Sequence, residues 1–144
     1  MTTKQEIQDV KTPAEAAAMW WTSVLRDPKL DNGDSNPITA VLNAMTKEGR
    51  SEPATDVLDQ FKANLIGRLN ESLDGADDYT ARYGVTLDVD YHPDRVLSDC
   101  ADKAGFRGGM TAWPWKTTMW VKPDEVSVSY GYGADVEVIW VKKP

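Results

Sequence analysis

Apolar residues recur at helical spacing through the first half of the chain and at strand spacing through the second. Ala17, Trp20, Trp21, Val24 and Leu25 stand three and four residues apart, the spacing of one helix face. Their helix opens at Thr12-Pro13-Ala14-Glu15, where a capping threonine precedes a proline at the first helical position and a glutamate follows three residues after the cap. It buries one aromatic-rich stripe and ends near Asp27-Pro28. Residues 31–36 read as a loop, and Asn36-Pro37 opens a second helix with Ile38, Val41, Leu42 and Met45 on one face, closed by Gly49. A third helix begins around Ser51-Glu52-Pro53 and carries Leu58, Phe61, Leu65, Leu69 and Leu73 along one side before Gly75, a run of about five turns.

The period then changes to two, because Val85, Leu87, Val89 and Tyr91 alternate with Thr86, Asp88 and Asp90, the mark of a half-buried strand. His92-Pro93-Asp94 turns the chain into a fourth helix, with Val96, Leu97, Cys100, Ala101 and Ala104 inward and Gly105-Phe106 as a glycine C-cap with its hydrophobic contact. Three further strands are predicted over 115–121, 126–130 and 135–141, joined by Lys122-Pro123-Asp124-Glu125 and by Gly131-Tyr132-Gly133 into a meander. The expected architecture is α+β: three N-terminal helices followed by β-α-β-β-β with a mostly antiparallel sheet. Residues 1–11 read as a flexible arm, and 12–144 as one domain with a helical part over 12–75 and the β-α-β-β-β part over 83–141. Periodicity leaves the strand order open.

At 144 residues and 41% hydrophobic, the chain can bury a core without metals or disulfides. One cysteine, Cys100, permits no internal disulfide, which fits a cytoplasmic setting. Residues 1–11 carry no apolar leader, and the longest apolar run, residues 16–21, is too short to span a bilayer. The net charge of −7 is concentrated: residues 71–102 hold nine acids against two bases, Arg82 and Arg95, while the remainder of the chain balances. This composition argues against direct binding to nucleic acid or anionic lipid and favours a basic protein partner. Asp88 and Asp90 point to one strand face about 7 Å apart, Asp94, Asp99 and Asp102 line the adjoining helix, and Asp74, Asp77 and Asp78 fall in the preceding loop. A fixed array of this kind can imitate a phosphate backbone and enter the basic groove of a nucleic-acid-processing complex. A charge run of this kind also serves as a plain solvated face.

Other chemistry finds less support in the residues. The carboxylates Asp77, Asp78, Asp88 and Asp90 have no spacing that fixes a metal shell, Asp31-Asn32-Gly33-Asp34 does not fit a calcium loop, and one histidine with one cysteine makes no zinc set. No metal or cofactor is expected. His92 and Cys100 stand about 12 Å apart along a helix, too far for a catalytic pair, and Cys100 falls on the apolar stripe. His92 reads as a helix-start residue whose ring meets the end of the sheet. On a pleated strand Trp115, Thr117, Met119 and Val121 share one face while Lys116, Thr118 and Trp120 share the other, so one tryptophan is core and the other meets a helix, a partner or solvent. Tyr132, between two glycines, is an expected exposed anchor.

Tyr91-His92-Pro93-Asp94, the block Trp113-Pro114-Trp115-Lys116-Thr117-Thr118-Met119, and Ser129-Tyr130-Gly131-Tyr132-Gly133 together resemble small proteins carried by phages and mobile elements, over residues 85–141. The resemblance implies an accessory role such as inhibition of a bacterial defence complex, as by anti-CRISPR proteins, many of them small, acidic and non-enzymatic. It does not extend to the helical half. The function expected is therefore non-catalytic protein binding through Asp77, Asp78, Asp88, Asp90, Asp94, Asp99, Asp102, Trp120 and Tyr132. The alternatives are a small enzyme or ligand-binding domain with a pocket near His92, Lys116 and Tyr130, and an oligomeric structural protein.

Overall fold

A computed structural model of the chain describes residues 3–26, 54–75, 77–106 and 113–144. Within them the elements are α1 (Lys4–Asp9), α2 (Pro13–Arg26), α3 (Thr55–Asp74), α4 (Asp78–Tyr83), β1 (Val85–Val89), α5 (Arg95–Ala104), β2 (Thr117–Val121), β3 (Glu125–Ser129) and β4 (Val136–Val141). The expected second helix lies outside the described residues, and the third helix starts at Thr55, later than expected, because Ala54 is extended. Helices and a four-stranded antiparallel sheet of order β1-β2-β3-β4 make the fold α+β.

The N-cap at Thr12 forms as the sequence predicts: the Glu15 N–H donates to Thr12 Oγ1 at 3.2 Å, and the Thr12 hydroxyl, rather than its backbone N–H, donates to Glu15 Oε1 at 3.1 Å. The helix it starts is buried on more than one stripe. Ala14, Ala16, Ala17 and Ala18 are as inaccessible as Trp21 and Leu25, because α2 packs against α1, α3 and the sheet together. α3 lays Leu58, Phe61, Leu65 and Leu69, all fully buried, against it. Each such side chain contributes about 1.5–3 kcal/mol of transfer free energy.

Among the described helices, α1, α2, α3 and α5 pack against the sheet, and one of its faces is covered. That covered face carries Leu87, Val89, Met119, Val121, Val126 and Val128, all buried, with Leu87 opposite Met119 and Met119 opposite Val128 across three strands. The other face is open and carries Thr86, Asp88, Thr118, Trp120, Ser127 and Ser129. A bulge between Val126 and Ser127 shifts the register: Trp140 lies opposite Val126 on the covered side, while Val138 and Val136 lie opposite Ser127 and Ser129 and are exposed. No helix among the described residues is long and apolar enough to cross a membrane.

Four expectations need correction. Residues 4–9 are not an arm but helix α1, capped by Thr3, whose Oγ1 accepts from the Glu6 N–H at 3.1 Å, with Ile7 buried. Trp140 Nε1 donates to the Val10 carbonyl at 2.9 Å and Gln8 to the Val141 carbonyl at 3.1 Å, fixing this segment to β4. Asp78 does not sit in a loop: Asp77 caps α4, accepting from the Thr80 N–H at 2.8 Å, and Asp78 is in its first turn. Tyr91 does not continue the inward row of β1, which ends at Val89, and it is exposed. Likewise β2 starts at Thr117, two residues later than the aromatic block predicts, because Lys116 adopts φ +56.

Candidate functional site

The β1–β2 ladder continues one step past the strand ends. Val89 faces Thr117, so Asp90 and Lys116 meet next: the Lys116 N–H donates to the Asp90 carbonyl at 2.9 Å, and the Lys116 ammonium pairs with the Asp90 carboxylate. The same Nζ lies 4.6 Å from the centre of the Tyr91 ring and 5.7 Å from that of Tyr132, within the range of cation–π attraction. The two phenol oxygens are hydrogen-bonded at 2.6 Å, and Tyr91 meets Trp115 edge-on at 5.4 Å.

Local chemistry holds Tyr132 in this position. Gly131 and Gly133 adopt φ +91 and +64, conformations that make the turn possible. The buried Thr117 hydroxyl accepts from the Gly131 N–H at 3.2 Å, and the Ser129 hydroxyl donates to the Ala134 carbonyl at 2.9 Å. Lys116 is the one described non-glycine residue with positive φ, a conformation disfavoured by its Cβ. Its side-chain contacts with Asp90, Tyr91 and Tyr132 offset that cost. The hydrogen bond to Asp90 holds the Lys116 ammonium above its ordinary pKa, and the bond to Tyr91 does the same for the Tyr132 phenol. At neutral pH the site thus presents a protonated amine and a neutral phenol, groups suited to binding and positioning rather than to accepting a proton.

The acids do not form one array. Asp94 turns inward: Oδ1 accepts from the Leu97 N–H at 2.9 Å, capping α5, and Oδ2 accepts from the Asp88 N–H at 2.8 Å. The Asp94 N–H in turn donates to the Asp88 carbonyl at 2.8 Å, so the edge strand β1 has its outward backbone groups satisfied at this residue. Burial of the Asp94 carboxyl outweighs these donors and raises its pKa. Asp88 stands on the open face, accepting from the Thr118 hydroxyl at 2.9 Å, whereas Asp99 turns to Arg68 of α3 and to Arg95, each at 3.8 Å. The Thr80 N–H holds Asp77 below the usual carboxylate range. Asp78 and Asp102 are exposed. Strand and helix periodicity taken separately place five carboxylates on one face, but a helix N-cap turns Asp94 inward and an inter-helix ion pair draws Asp99 to α3.

His92 is exposed in the turn before α5, Tyr130 is buried with its ring edge-on to Trp20 at 5.3 Å, and Lys116 is engaged by Asp90 and the two tyrosines. Trp120 is half-buried on the open face, opposite Thr86 and Ser127. Cys100 is buried on α5, and that burial pushes its thiol pKa up, keeping it protonated. Among the described residues no group of three or more His, Cys, Asp or Glu is placed to hold a metal ion. No protein-family model matches the chain, and no curated protein matches it in sequence.

Sequence reasoning separated Lys116 from Asp90 and Tyr132, and omitted Tyr91 and Trp115. Their union depends on the pairing of β1 with β2, which no short-range pattern reveals. The exposed pair Tyr79 and Tyr83, with ring centres 4.9 Å apart on α4, was likewise not anticipated; two tyrosines four apart after a capping aspartate were the available sign.

Proposed function

We propose that the chain is a non-catalytic, cytoplasmic protein-binding protein that engages a basic partner through the end of the sheet formed by Asp90, Tyr91, Trp115 and Tyr132, with Asp88 beside it. The observation that carries this reading is an ordered, part-exposed aromatic cluster bordered by carboxylates. Tyrosine and tryptophan offer large contact area at low entropy cost, and neighbouring acids steer a basic surface toward them. Asp78, Asp99, Asp102 and Trp120 contribute at most the surrounding field and rim. That the partner belongs to a bacterial defence complex, in the manner of anti-CRISPR inhibitors, follows only from the resemblance of residues 85–141 to phage and mobile-element proteins.

A pocket uniting His92, Lys116 and Tyr130 draws less support, since Tyr130 packs on Trp20 while Lys116 is held by Asp90. The test is affinity capture from the native host with the wild-type chain, Tyr132→Ala and the double variant Asp88→Asn/Asp90→Asn. A basic protein retained by the wild type, and lost with either variant or with added salt, is the expected result. Retention indifferent to both variants would sink the proposal.

A further inference from the structure

Two tyrosine rings and a carboxylate converge on a single ammonium group, and that ammonium comes from the chain itself. Nothing in this chemistry is particular to Lys116. A ring face attracts any cation of similar size, and a carboxylate beside it adds a hydrogen-bond acceptor. We propose that Asp90, Tyr91 and Tyr132 form a cation-binding cage that Lys116 fills in the isolated protein, and that a lysine ammonium of a basic partner enters by displacing it. The inference rests on the reading of this end of the sheet as the partner-binding surface, and it names what that surface recognises.

Three features favour displacement over a permanent internal contact. The site is open, with the Lys116 side chain 33% exposed and the Asp90 side chain 61% exposed. The walls do not depend on the lysine: Tyr91 and Tyr132 are hydrogen-bonded to each other, Trp115 abuts Tyr91, and the Thr117 and Ser129 hydroxyls fasten the turn that carries Tyr132. Finally, the φ of +56 at Lys116 is disfavoured for a residue with a side chain. Release of the ammonium frees that backbone to relax, which lowers the cost of the exchange.

The experiment uses methylammonium chloride as the probe, a primary ammonium like that of lysine, with ionic strength held constant by sodium chloride, and follows the Tyr91 and Tyr132 ring resonances by NMR. Lys116→Gly empties the cage, and glycine adopts a positive φ without penalty. The variant is expected to bind the probe about tenfold more tightly than the wild type, and Lys116→Gly/Tyr132→Ala to lose about tenfold of that gain. In the wild type the Lys116 ε-methylene protons, shifted upfield by the rings, should move toward free-lysine positions as the probe is added. Ring shifts in Lys116→Gly no larger than those from sodium chloride would overturn the cage. If that variant does not fold, the wild-type ε-methylene titration decides alone: protons that stay in place refute displacement. Loss of partner capture in Tyr132→Ala with no probe binding would leave the partner surface standing without a cage. Probe binding with capture indifferent to Tyr132→Ala would do the reverse.

Discussion

Gly84 links α4 to β1 with φ +80 and ψ −170, a region open almost only to glycine. A Cβ at this position would also lie 2.4 Å from the Val121 carbonyl oxygen, a backbone atom that cannot rotate away. Gly84→Ala is therefore expected to destabilise the fold by at least about 1–3 kcal/mol, read as a lower urea midpoint with an unchanged slope. An unchanged midpoint would mean the junction can be rebuilt. Lys116 presents the opposite case, since it tolerates positive φ through what its side chain touches. The same backbone irregularity thus serves close approach at one residue and side-chain placement at another.

At the scale of elements, Asp94 joins α5 to β1 through one carboxylate. Asp94→Ala removes a helix cap and leaves the Asp88 N–H without that acceptor, at an expected cost of about 1–2 kcal/mol. Burial raises the folded pKa of Asp94 above its unfolded value, so protonation favours the folded state. The stability linked to this group is then fully present below the unfolded pKa of about 3.9 and is lost as pH rises through the folded pKa. The stability of the wild type relative to Asp94→Asn should fall as pH rises from about 3 toward 7, measured by denaturant titration at each pH. A rise would show that the Leu97 and Asp88 N–H donors prevail over burial. The longer elements, α2, α3 and α5, announce themselves through repeated apolar positions, helped by the Thr12 cap of α2 and the glycine end of α5. The six-residue helices α1 and α4 span less than two turns, too short for a periodic stripe, and escape notice for that reason.

For the whole molecule, Trp113 is a side chain on which α2, α3 and the end of α5 converge. Its ring meets Phe61 at 5.9 Å, Phe106 at 5.8 Å and Trp21 at 6.2 Å, and it is buried. Trp113→Ala is expected to cost about 3–5 kcal/mol, with loss of the near-ultraviolet circular dichroism of the aromatic cluster; a cost under about 1 kcal/mol would mean the core closes over the gap. Two residues further on, Trp115 is only half-buried and belongs to the surface cluster, so one short block supplies both core and candidate interface. What the sequence by itself determined is the set of features governed by residues within a few positions of each other: the apolar faces of α2, α3 and α5, the cap at Thr12, the glycine end of α5 and the alternation of β1. Only the tertiary structure decided the strand order, the division of the tryptophans between inside and outside, the internal donors that occupy Asp88 and Asp94, and the meeting of Asp90 with Lys116 across 26 residues of chain. The physical reason is that helix and strand periods express local backbone geometry, whereas ladder register and long-range ion pairs depend on which distant surfaces the hydrophobic core brings together.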